Sequence, residues 1–519
     1  GFHSDLPLVW FGLFESRVLN PGPDADLGDY QMSAWRWVDD RDAYEDAVVA
    51  IREEIAAGNT YQVNFTTRLR ADFSGDPVAF YHDLVSAQSG GYGAYLDTGR
   101  YRIVSASPEL FFDRHPTDGK HDRLVTRPMK GTAPRGRWPA EDAVHFRVLE
   151  TSEKERAENL IIVDLLRNDL GRVAEFGTVA VDDLMAIERY DTVWQMTTTV
   201  LGDVDPAVPL VKVLAALFPS GSVTGAPKVR AMQTIRDLET EPRGVYTGAI
   251  GFVAPAGVPG PRSSFSVAIR TVVIDAESGD AEYGIGGGVT FDSDPQAEYE
   301  EAALKSRILT HGRSDFELLE TMRWGPDTGW YWLDLHLDRL GSSADYFGVP
   351  VQRERLVAQL NAAVDGGGES RVRLAVDRRG RTKVSVHPYV EDDRRPIALA
   401  VDPEPVDTSS PFLYHKTSRR EVYEVRLRRH PTADDVLMVN ERGEVTESTI
   451  ANVVVKLAGQ WCTPPMDAGC LPGIYRRVLL EQGSLTERPI RLDELADCDG
   501  MALLNSVRLW RDAFVVADR

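Results

Sequence analysis

Residues 156–170 read RAENLIIVDLLRNDL, and this stretch decides the fold of the N-terminal half of the chain. Glu155, Glu158, Ile162 and Leu165 are spaced so that they share one stripe of an amphipathic helix. The two carboxylates therefore continue the apolar stripe instead of lying opposite to it. We expect both side chains to point inward, where a buried charge needs a partner.

A second helix repeats this pattern near residue 300. Glu298, Glu301, Lys305 and Ile308 share one stripe of a helix predicted over residues 295–309. A single glutamate is usually exposed, but the repeated stripe suggests that four carboxylates meet. Mg²⁺ binds oxygen ligands and commonly takes one or two carboxylates plus substrate oxygens. The two helices together predict a magnesium site.

Length and composition limit the class of protein. A chain of 519 residues exceeds the roughly 250–300 residues that one core supports, so at least two domains are expected. No apolar run approaches the roughly 20 residues of a membrane span, and a net charge of -22 argues against a nucleic-acid binder. The three cysteines lack zinc or disulfide spacing, which favours a reducing cytoplasm. Since the first residue is Gly1 and no signal peptide follows, we expect the true start to be missing.

The order of strand-like and helical runs predicts two domains of the α/β or α+β class. The first covers residues 1–310, and residues 311–315, which read HGRSD, form a predicted linker. The second covers residues 316–519 and begins with two strand-like runs around a Gly-Pro-Asp turn, followed by a helix. We expect it to have a small lobe over about 316–400 and a large lobe over about 405–519.

Two further motifs of the first domain have ordinary explanations when each is taken alone. Gly284 and the glycines at 286–288 lie between a strand-like run and the second acidic helix, where bare backbone N–H groups can approach an anion. A tight turn explains them equally well, and their spacing is not a nucleotide-binding fingerprint. Lys130 lies in a turn-prone Pro-Met-Lys-Gly-Thr sequence, where most lysines face solvent.

Together these motifs resemble the chorismate-utilising enzymes, specifically component I of aminodeoxychorismate synthase. The resemblance covers roughly residues 50–310, with its motifs in order: SPE at 107–109, RPMKGT at 127–132, RAENLIIVDLLRNDL at 156–170, FPSGSVTGAPKVRAM at 218–232, and residues 246–252, 269–271 and 286–307. It implies a β-sandwich with flanking helices, like that of anthranilate synthase component I, and chorismate as substrate.

The resemblance implies three catalytic residues. Lys130 would attack C2 of the chorismate ring while the C4 hydroxyl leaves, and Glu109 would protonate that leaving group. Ammonia would then enter at C4 and displace the lysine. Lys130 must be unprotonated for this, which requires a pKa below its reference value of about 10.4. Thr247 flanks this site as a further candidate.

The resemblance also implies which residues bind the metal ion and the substrate. Mg²⁺ would be held by Glu158 and Glu301, with Glu155 and Glu298 completing the acidic shell. The residues implied to bind substrate are Arg270, Tyr246, Gly286, Gly287, Gly288, Lys305, Thr132 and Gln195. At Gln195 many relatives have histidine, and glutamine still forms hydrogen bonds but does not shuttle protons near pH 7.

Few positions distinguish the reaction within this family. Lys130 resembles the aminodeoxychorismate synthases, because anthranilate synthases usually have alanine there. Gln62 stands where relatives that add water have a lysine base, so nitrogen is the expected nucleophile. None of the three cysteines lies in a nucleophile-elbow context. The resemblance therefore implies that ammonia comes from a separate glutamine amidotransferase subunit.

The second domain resembles the fold-type IV pyridoxal-phosphate enzymes over roughly residues 315–510. The resemblance rests on LHLDRL at 335–340, KTSRR at 416–420, VTESTIAN at 445–452, LPGIYR at 471–476 and NSVR at 505–508. It implies that Lys416 holds pyridoxal phosphate and that Glu447 faces the pyridine nitrogen. The implied phosphate-binding residues are Arg339, Gly473, Ile474 and Ser506. Dimerisation through this domain is implied as well.

The two domains together predict a bifunctional, cytoplasmic enzyme that makes 4-aminobenzoate. The motifs of the second domain do not separate lyases from branched-chain or D-amino acid aminotransferases. A lyase is favoured because its substrate would be the product of the first domain. One alternative is an anthranilate or aminodeoxyisochorismate-type synthase fused to an aminotransferase. Another is a chain in which one domain has lost catalysis and is regulatory.

Overall fold

The computed structural model describes residues 6–16, 27–86, 91–117, 120–191, 193–255, 257–309, 316–391 and 395–516. The chain divides into two compact units, one of Gly1–Arg135 with His145–Arg313 and one of Gly136–Val144 with Ser314–Arg519. The predicted linker, residues 311–315, lies outside the described residues, so the domain boundary there stays a prediction. Among the described helices, none combines the length and the apolar character needed to cross a membrane.

The first unit contains two β-sheets in which all strand pairs are antiparallel. Its strands are β1 Tyr30–Met32, β2 Arg36–Trp37, β3 Gln62–Gly75, β4 Tyr92–Asp97, β5 Tyr101–Ser107, β6 Leu110–Pro116, β7 Asp122–Arg127, β8 Met129–Pro134, β9 Ala180–Arg189, β10 Val193–Val204, β11 Gly225–Ala226, β12 Ala249–Val253, β13 Ser263–Val267, β14 Thr271–Asp275 and β15 Asp280–Val289. The first sheet has the order β1-β3-β15-β14-β5-β4, with β2 and β11 also paired to β3. The second has the order β12-β13-β6-β7-β10-β8, with β9 paired to β10.

The helices before residue 310 confirm both predicted acidic helices. They are α1 Arg41–Ala56, α2 Pro77–Ser86, α3 Pro139–Thr151, α4 Glu153–Gly171, α5 Leu210–Leu217, α6 Lys228–Leu238 and α7 Pro295–Ser306. The side chains of Ser152 and Asp294 cap the N-termini of α4 and α7. Helix α4 buries Ile162, Leu166 and Leu170 in the core of the second sheet, which fixes the side on which its glutamates lie.

The second unit has two lobes, each with its own sheet and core. Its strands are β16 Leu318–Gly325, β17 Gly329–Trp330, β18 Ser370–Val376, β19 Thr382–Pro388, β20 Ile397–Val401, β21 Asp435–Val439, β22 Val445–Ser448, β23 Asn452–Leu457, β24 Gln460–Thr463, β25 Thr486–Glu487, β26 Gly500–Asn505 and β27 Leu509–Val515. Its helices are α8 Leu333–Phe347, α9 Arg353–Val364, α10 Glu421–Arg429 and α11 Ile474–Glu481. The sheets have the orders β17-β16-β18-β19 and β22-β21-β20-β27-β26-β23-β24-β25.

These elements confirm the predicted fold class but move one boundary. Strand β20 pairs in parallel with both β21 and β27, so residues 397–401 belong to the sheet of the large lobe. The small lobe, predicted to extend to about residue 400, therefore ends before β20. The sequence placed the boundary at the proline-rich loop after β20, because a short apolar strand fits the sheet of either lobe.

Candidate active sites

One cavity of the first unit is lined by every residue predicted for the chorismate site. It encloses about 1090 Å³ of empty space, part of it open to solvent, and receives side chains from both sheets and from α4 and α7. The predicted residues in its lining are Glu109, Lys130, Thr132, Glu155, Glu158, Gln195, Tyr246, Thr247, Arg270, Gly286, Gly287, Gly288, Glu298, Glu301 and Lys305. Residues as distant in sequence as Glu109 and Lys305 therefore share one site.

Lys130 lies on β8 with its amine inside the cavity. Its Nζ donates a hydrogen bond to Oδ1 of Asn64 at 3.0 Å. Burial lowers the pKa of Lys130, although the carboxylate of Glu158 opposes this shift. A lowered pKa increases the fraction of neutral amine, which is the nucleophilic form.

Glu109 is the buried acid of the same cavity, with only 3% of its surface exposed. Its Oε1 accepts a hydrogen bond from Oγ of Ser222, which lies 2.9 Å from Oγ of Ser220. Burial raises the pKa of Glu109 to about 7, while Ser222 and Lys130 act in the opposite direction. A carboxyl group with this pKa retains a proton near neutral pH and can donate it to a leaving group.

The four predicted metal ligands line the cavity, but they differ in environment. Burial raises the pKa of Glu158 to about 7 and also raises the pKa values of Glu155 and Glu298, with nearby carboxylates contributing to each shift. Glu301 differs because Lys305, at 2.8 Å, lowers its pKa. The Glu301 side chain is 45% accessible to solvent, although it lines the same cavity as the other three carboxylates.

The donor set fits a hard dication although no complete coordination group is formed. Within the described parts of the chain, no three His, Cys, Asp or Glu side chains are arranged to hold a metal ion. Carboxylate oxygens that raise one another's pKa are nevertheless stabilised by a cation placed between them. The arrangement suits Mg²⁺, which takes some of its oxygen ligands from substrate.

The glycines at 286–288 lie in strand β15 rather than in a tight turn. Gly286 and Gly288 pair with Thr66 and Asn64 of β3. A Cβ atom at Gly286 would lie 2.0 Å from the carbonyl oxygen of Phe65, and one at Gly288 would lie 2.9 Å from Nζ of Lys130. Glycine is therefore required at 286, because the backbone there passes close to β3, whereas a side chain at 288 would displace the amine of Lys130.

Arg270 and Thr247 have backbone conformations that non-glycine residues rarely adopt, with φ of 51° and 62°. Such strain is typical of functional sites. Burial lowers the pKa of Arg270 and raises the pKa of Tyr246. These side chains and Lys305 form the cationic and hydrogen-bonding part of a cavity that is otherwise acidic.

The structure places two polar residues of β3 beside the reactive groups, and the sequence analysis gave no role to one of them, Asn64. Asn64 connects Lys130 with Ser222, the residue that donates to Glu109, because its Nδ2 donates to the carbonyl oxygen of Ser222 at 2.8 Å while its Oδ1 accepts from Lys130. Gln62 is buried on the same strand, and neither end of its amide has a hydrogen-bond partner in the part of the chain that the structure describes. In the sequence, the only sign that positions 62 and 64 face the same side is that alternate residues of a strand point to the same face.

In the second unit, Lys416 precedes helix α10, and its carbonyl oxygen accepts a hydrogen bond from the backbone N–H of Leu319 at 2.8 Å. Burial, followed by the cation of Arg339, lowers the pKa of Lys416 to about 8. Such an amine is partly neutral at physiological pH. It can therefore both form a covalent bond with a carbonyl cofactor and act as a base.

Glu447 is buried on β22 and accepts three hydrogen bonds. The donors are the hydroxyl of Tyr423 at 3.1 Å, Nδ2 of Asn452 at 3.1 Å and the backbone N–H of Leu471 at 3.2 Å. Burial still raises the pKa of Glu447 to about 7. A carboxylate held this firmly at a buried site is stabilised by a positively charged ring nitrogen.

Three of the predicted phosphate-binding residues, Arg339, Gly473 and Ile474, lie at the loop before α11 or at its end, and Ser506 lies beside β16. Nη1 of Arg339 donates to the carbonyl oxygen of Pro472 at 3.0 Å, and its other nitrogens bind the buried Glu320. Glu320 also accepts from Nδ1 of His336 at 2.6 Å, so this carboxylate fixes the orientation of Arg339. Gly473 precedes Ile474 at the start of α11, and a Cβ atom there would lie 1.8 Å from Oδ1 of Asn452. Ser506 donates to the carbonyl oxygen of Thr321 at 3.3 Å.

Two regions of the chain match two different families of known proteins. Residues 15–311 match the family model of the chorismate binding enzymes, and residues 317–513 match that of the class IV amino-transferases. An aminodeoxychorismate synthase from Streptomyces griseus is 45% identical over 52% of this chain and 36% of its own length. An anthranilate synthase component 1 from Aquifex aeolicus is 39% identical over 53% of each chain.

A branched-chain aminotransferase structure from Thermoproteus uzoniensis is 20% identical over 41% of this chain and 82% of its own, with a TM-score of 0.36. The chain thus spans about half, or less, of the length of the curated relatives named above.

Proposed function

Because the chain belongs to the chorismate binding enzyme family, we propose that its first unit converts chorismate and ammonia into 4-amino-4-deoxychorismate. We propose further that its second unit removes pyruvate from this product to give 4-aminobenzoate. The observation that supports the first step best is the pair of Lys130 and Glu109. Burial shifts both pKa values toward neutral forms in one cavity, where the neutral lysine is a nucleophile and the neutral glutamic acid is a proton donor.

In the first step the neutral amine of Lys130 attacks C2 of the ring. A new C2–N bond forms, both conjugated double bonds of the ring shift by one position, and the C4–O bond breaks. The hydroxyl leaves as water with the proton of Glu109. Ammonia then forms a bond to C4, both double bonds return to their original positions, and the C2–N bond to Lys130 breaks, so that the amine is regenerated. The new ammonium group at C4 gives one proton back to Glu109.

The acidic side of the cavity has a separate task. Glu155, Glu158, Glu298 and Glu301 would hold Mg²⁺, which when bound neutralises carboxylate charge on the substrate. Arg270, Tyr246 and the backbone N–H groups of β15 would bind the second carboxylate of chorismate, with Lys305, Thr132, Thr247 and Gln195 around them. An anionic substrate thereby enters a protein of net charge -22 without repulsion.

Two residues favour amination at C4 over the alternatives. Lys130 supplies a nucleophile that the anthranilate synthase pattern lacks. Gln62 is a neutral amide, which cannot activate water as a lysine base would. The nitrogen source is proposed to be a separate glutamine amidotransferase subunit, and the cell compartment the cytoplasm.

In the second unit, Lys416, Glu447, Arg339, Gly473, Ile474 and Ser506 would hold pyridoxal phosphate. When bound, this cofactor supplies an electron sink for the bond that breaks. Lys416 would move the C4 proton of the substrate, since its pKa of about 8 suits a base near neutral pH. Arg339, oriented by Glu320, would bind the phosphate. Dimerisation through this unit is part of the proposal.

The test is to incubate the purified chain with chorismate, ammonium, Mg²⁺ and pyridoxal phosphate. We expect 4-aminobenzoate and pyruvate in equal amounts. Anthranilate as the product would overturn the proposal for the first unit. Accumulation of 4-amino-4-deoxychorismate would overturn the proposal for the second unit.

A further inference from the structure

The strand that contains Lys130 is irregular at the lysine itself. Strands β8 and β10 pair Thr132 with Gln195 and Met129 with Thr197. Lys130 and Gly131 therefore both lie opposite the single residue Met196, which is the two-against-one pattern of a β-bulge. Bulges disrupt the regular ladder, and beside active sites they redirect a side chain. The bulge explains how Lys130 reaches the cavity, but it leaves this segment in need of other support.

That support comes from two amide side chains on neighbouring elements. Nδ2 of Asn159, on α4, donates to the carbonyl oxygen of Lys130 at 3.2 Å. Nε2 of Gln195, on β10, donates to the carbonyl oxygen of Gly131 at 2.8 Å. Oε1 of Gln195 also accepts from the hydroxyl of Thr132 at 3.0 Å. Three consecutive residues, Lys130, Gly131 and Thr132, which we call the lysine segment, are thus each bound by an amide.

Both amides are buried and engaged at both ends. Asn159 is 1% exposed, and its Oδ1 accepts from the hydroxyl of Thr198 at 2.7 Å. Gln195 is 6% exposed, and its carbonyl oxygen and its amino group both form hydrogen bonds with the lysine segment. A buried amide bound on both sides has one orientation, so it transmits the position of α4 and β10 to the lysine backbone.

We propose that Asn159 and Gln195 are positioning residues that hold the lysine segment so that Nζ of Lys130 meets C2 of chorismate. This inference rests on the proposed function of the first unit. It gives Gln195 a task different from substrate binding. It also links the nucleophile to the helix of Glu158, because Asn159 is the next residue of α4.

The two tasks for Gln195 predict different kinetics. Loss of a substrate contact that is equal in the ground and transition states raises KM and leaves kcat unchanged. Misplacement of the nucleophile lowers kcat instead, and about 1 Å of displacement is enough for a 100-fold effect.

The decisive variants are Asn159→Asp and Gln195→Glu, which keep the shape and the accepting oxygen but remove the N–H donor. Asn168→Asp is the matched control, because Asn168 is an exposed asparagine of the same helix. The full chain with Mg²⁺ and pyridoxal phosphate is used, with ammonium as nitrogen source. Thermal unfolding of each variant, compared with that of the parent chain, checks that the first unit is folded.

A second measurement isolates the lysine itself. With chorismate but no ammonia, the proposed first step ends in an adduct on Lys130, whose formation is followed by mass spectrometry of the intact protein. We expect kcat and the rate of adduct formation to fall about 10- to 100-fold in both variants, with KM for chorismate within about 3-fold of the parent. Asn168→Asp should behave like the parent chain.

Parent-like kcat and adduct formation in Asn159→Asp and Gln195→Glu would overturn the inference, and so would a raised KM with unchanged kcat. A parent chain that forms neither adduct nor product would overturn the proposed function and this inference together. If one variant does not fold, the other decides the outcome.

Discussion

Lys130 and Lys416 are both buried lysines with lowered pKa values, but the charged group that acts most strongly on each has the opposite sign. After burial, the carboxylate of Glu158 acts most strongly on Lys130 and the cation of Lys305 comes next, whereas the cation of Arg339 acts most strongly on Lys416 and the carboxylate of Glu320 comes next. Burial alone makes either amine reactive. The neighbouring charges then determine what each site can bind, since carboxylates suit a dication and an arginine suits a phosphate.

Removal of one lysine at a time should have the largest effect on the two half-reactions. Lys416→Ala should lower conversion of 4-amino-4-deoxychorismate at least about 1000-fold, because the variant loses its base and its bond to the cofactor. Chorismate consumption by the first unit should stay unchanged. The rates of both half-reactions, and the visible absorbance of the bound cofactor, check this.

A parallel loss of chorismate consumption in Lys416→Ala would contradict the view that the two sites are independent. Lys456→Ala is the control, because Lys456 is another lysine of the same unit and lies on β23.

Glu109→Gln tests the acid that distinguishes the first site. Glutamine has similar size but no proton to donate, so kcat of the first unit should fall about 100-fold. In the parent chain, kcat/KM should decrease as pH rises through about 7, because the pKa of Glu109 is raised to about 7 and the protonated form predominates below it. This decrease should be absent in Glu109→Gln. A parent profile that rises steadily from pH 6 to pH 9 would contradict the assignment.

Two neighbouring glutamates, Glu301 and Glu300, test whether the acidic side of the first cavity binds Mg²⁺. Glu301→Gln should raise the Mg²⁺ concentration needed for half-maximal activity by about 10-fold or more. Glu300→Gln changes an exposed glutamate one residue away and should leave it unchanged. Titration of activity with Mg²⁺ measures both. Equal behaviour of the two variants would show that the acidic stripe is not a metal site.

Tyr423→Phe gives the smallest effect. It removes one of the three hydrogen bonds to Glu447, which corresponds to about 1 kcal/mol, or roughly 5-fold weaker binding of pyridoxal phosphate. Titration of the apo chain with the cofactor, followed by absorbance, measures this. The activity of the first unit is the internal control. Unchanged cofactor affinity would mean that the bonds from Asn452 and Leu471 suffice.

The sequence predicted the parts of the fold and of the sites that follow from local periodicity. The acidic stripes of α4 and α7 were found because helix period places Glu155 next to Glu158 and Glu298 next to Glu301. The sequence did not show why residue 286 is glycine. The reason is the close approach of a carbonyl oxygen of β3 that lies more than 200 residues earlier in the chain, and no local pattern reports such a contact.

Hydrogen-bond partners were the part that sequence could not supply. Ser222 and Glu109 are separated by 113 residues, and Asn64 and Lys130 by 66. Whether such side chains meet depends on sheet order and register, which periodicity does not determine.

The central claim is that two lysines act in sequence on one substrate, and mixing two single variants tests it most directly. Lys130→Ala and Lys416→Ala are each incubated with chorismate, ammonium, Mg²⁺ and pyridoxal phosphate, separately and together. The account predicts that 4-aminobenzoate forms rapidly only in the mixture, because the first unit of one variant supplies the second unit of the other. Rapid 4-aminobenzoate formation by either variant alone, or a mixture that forms none, would contradict it.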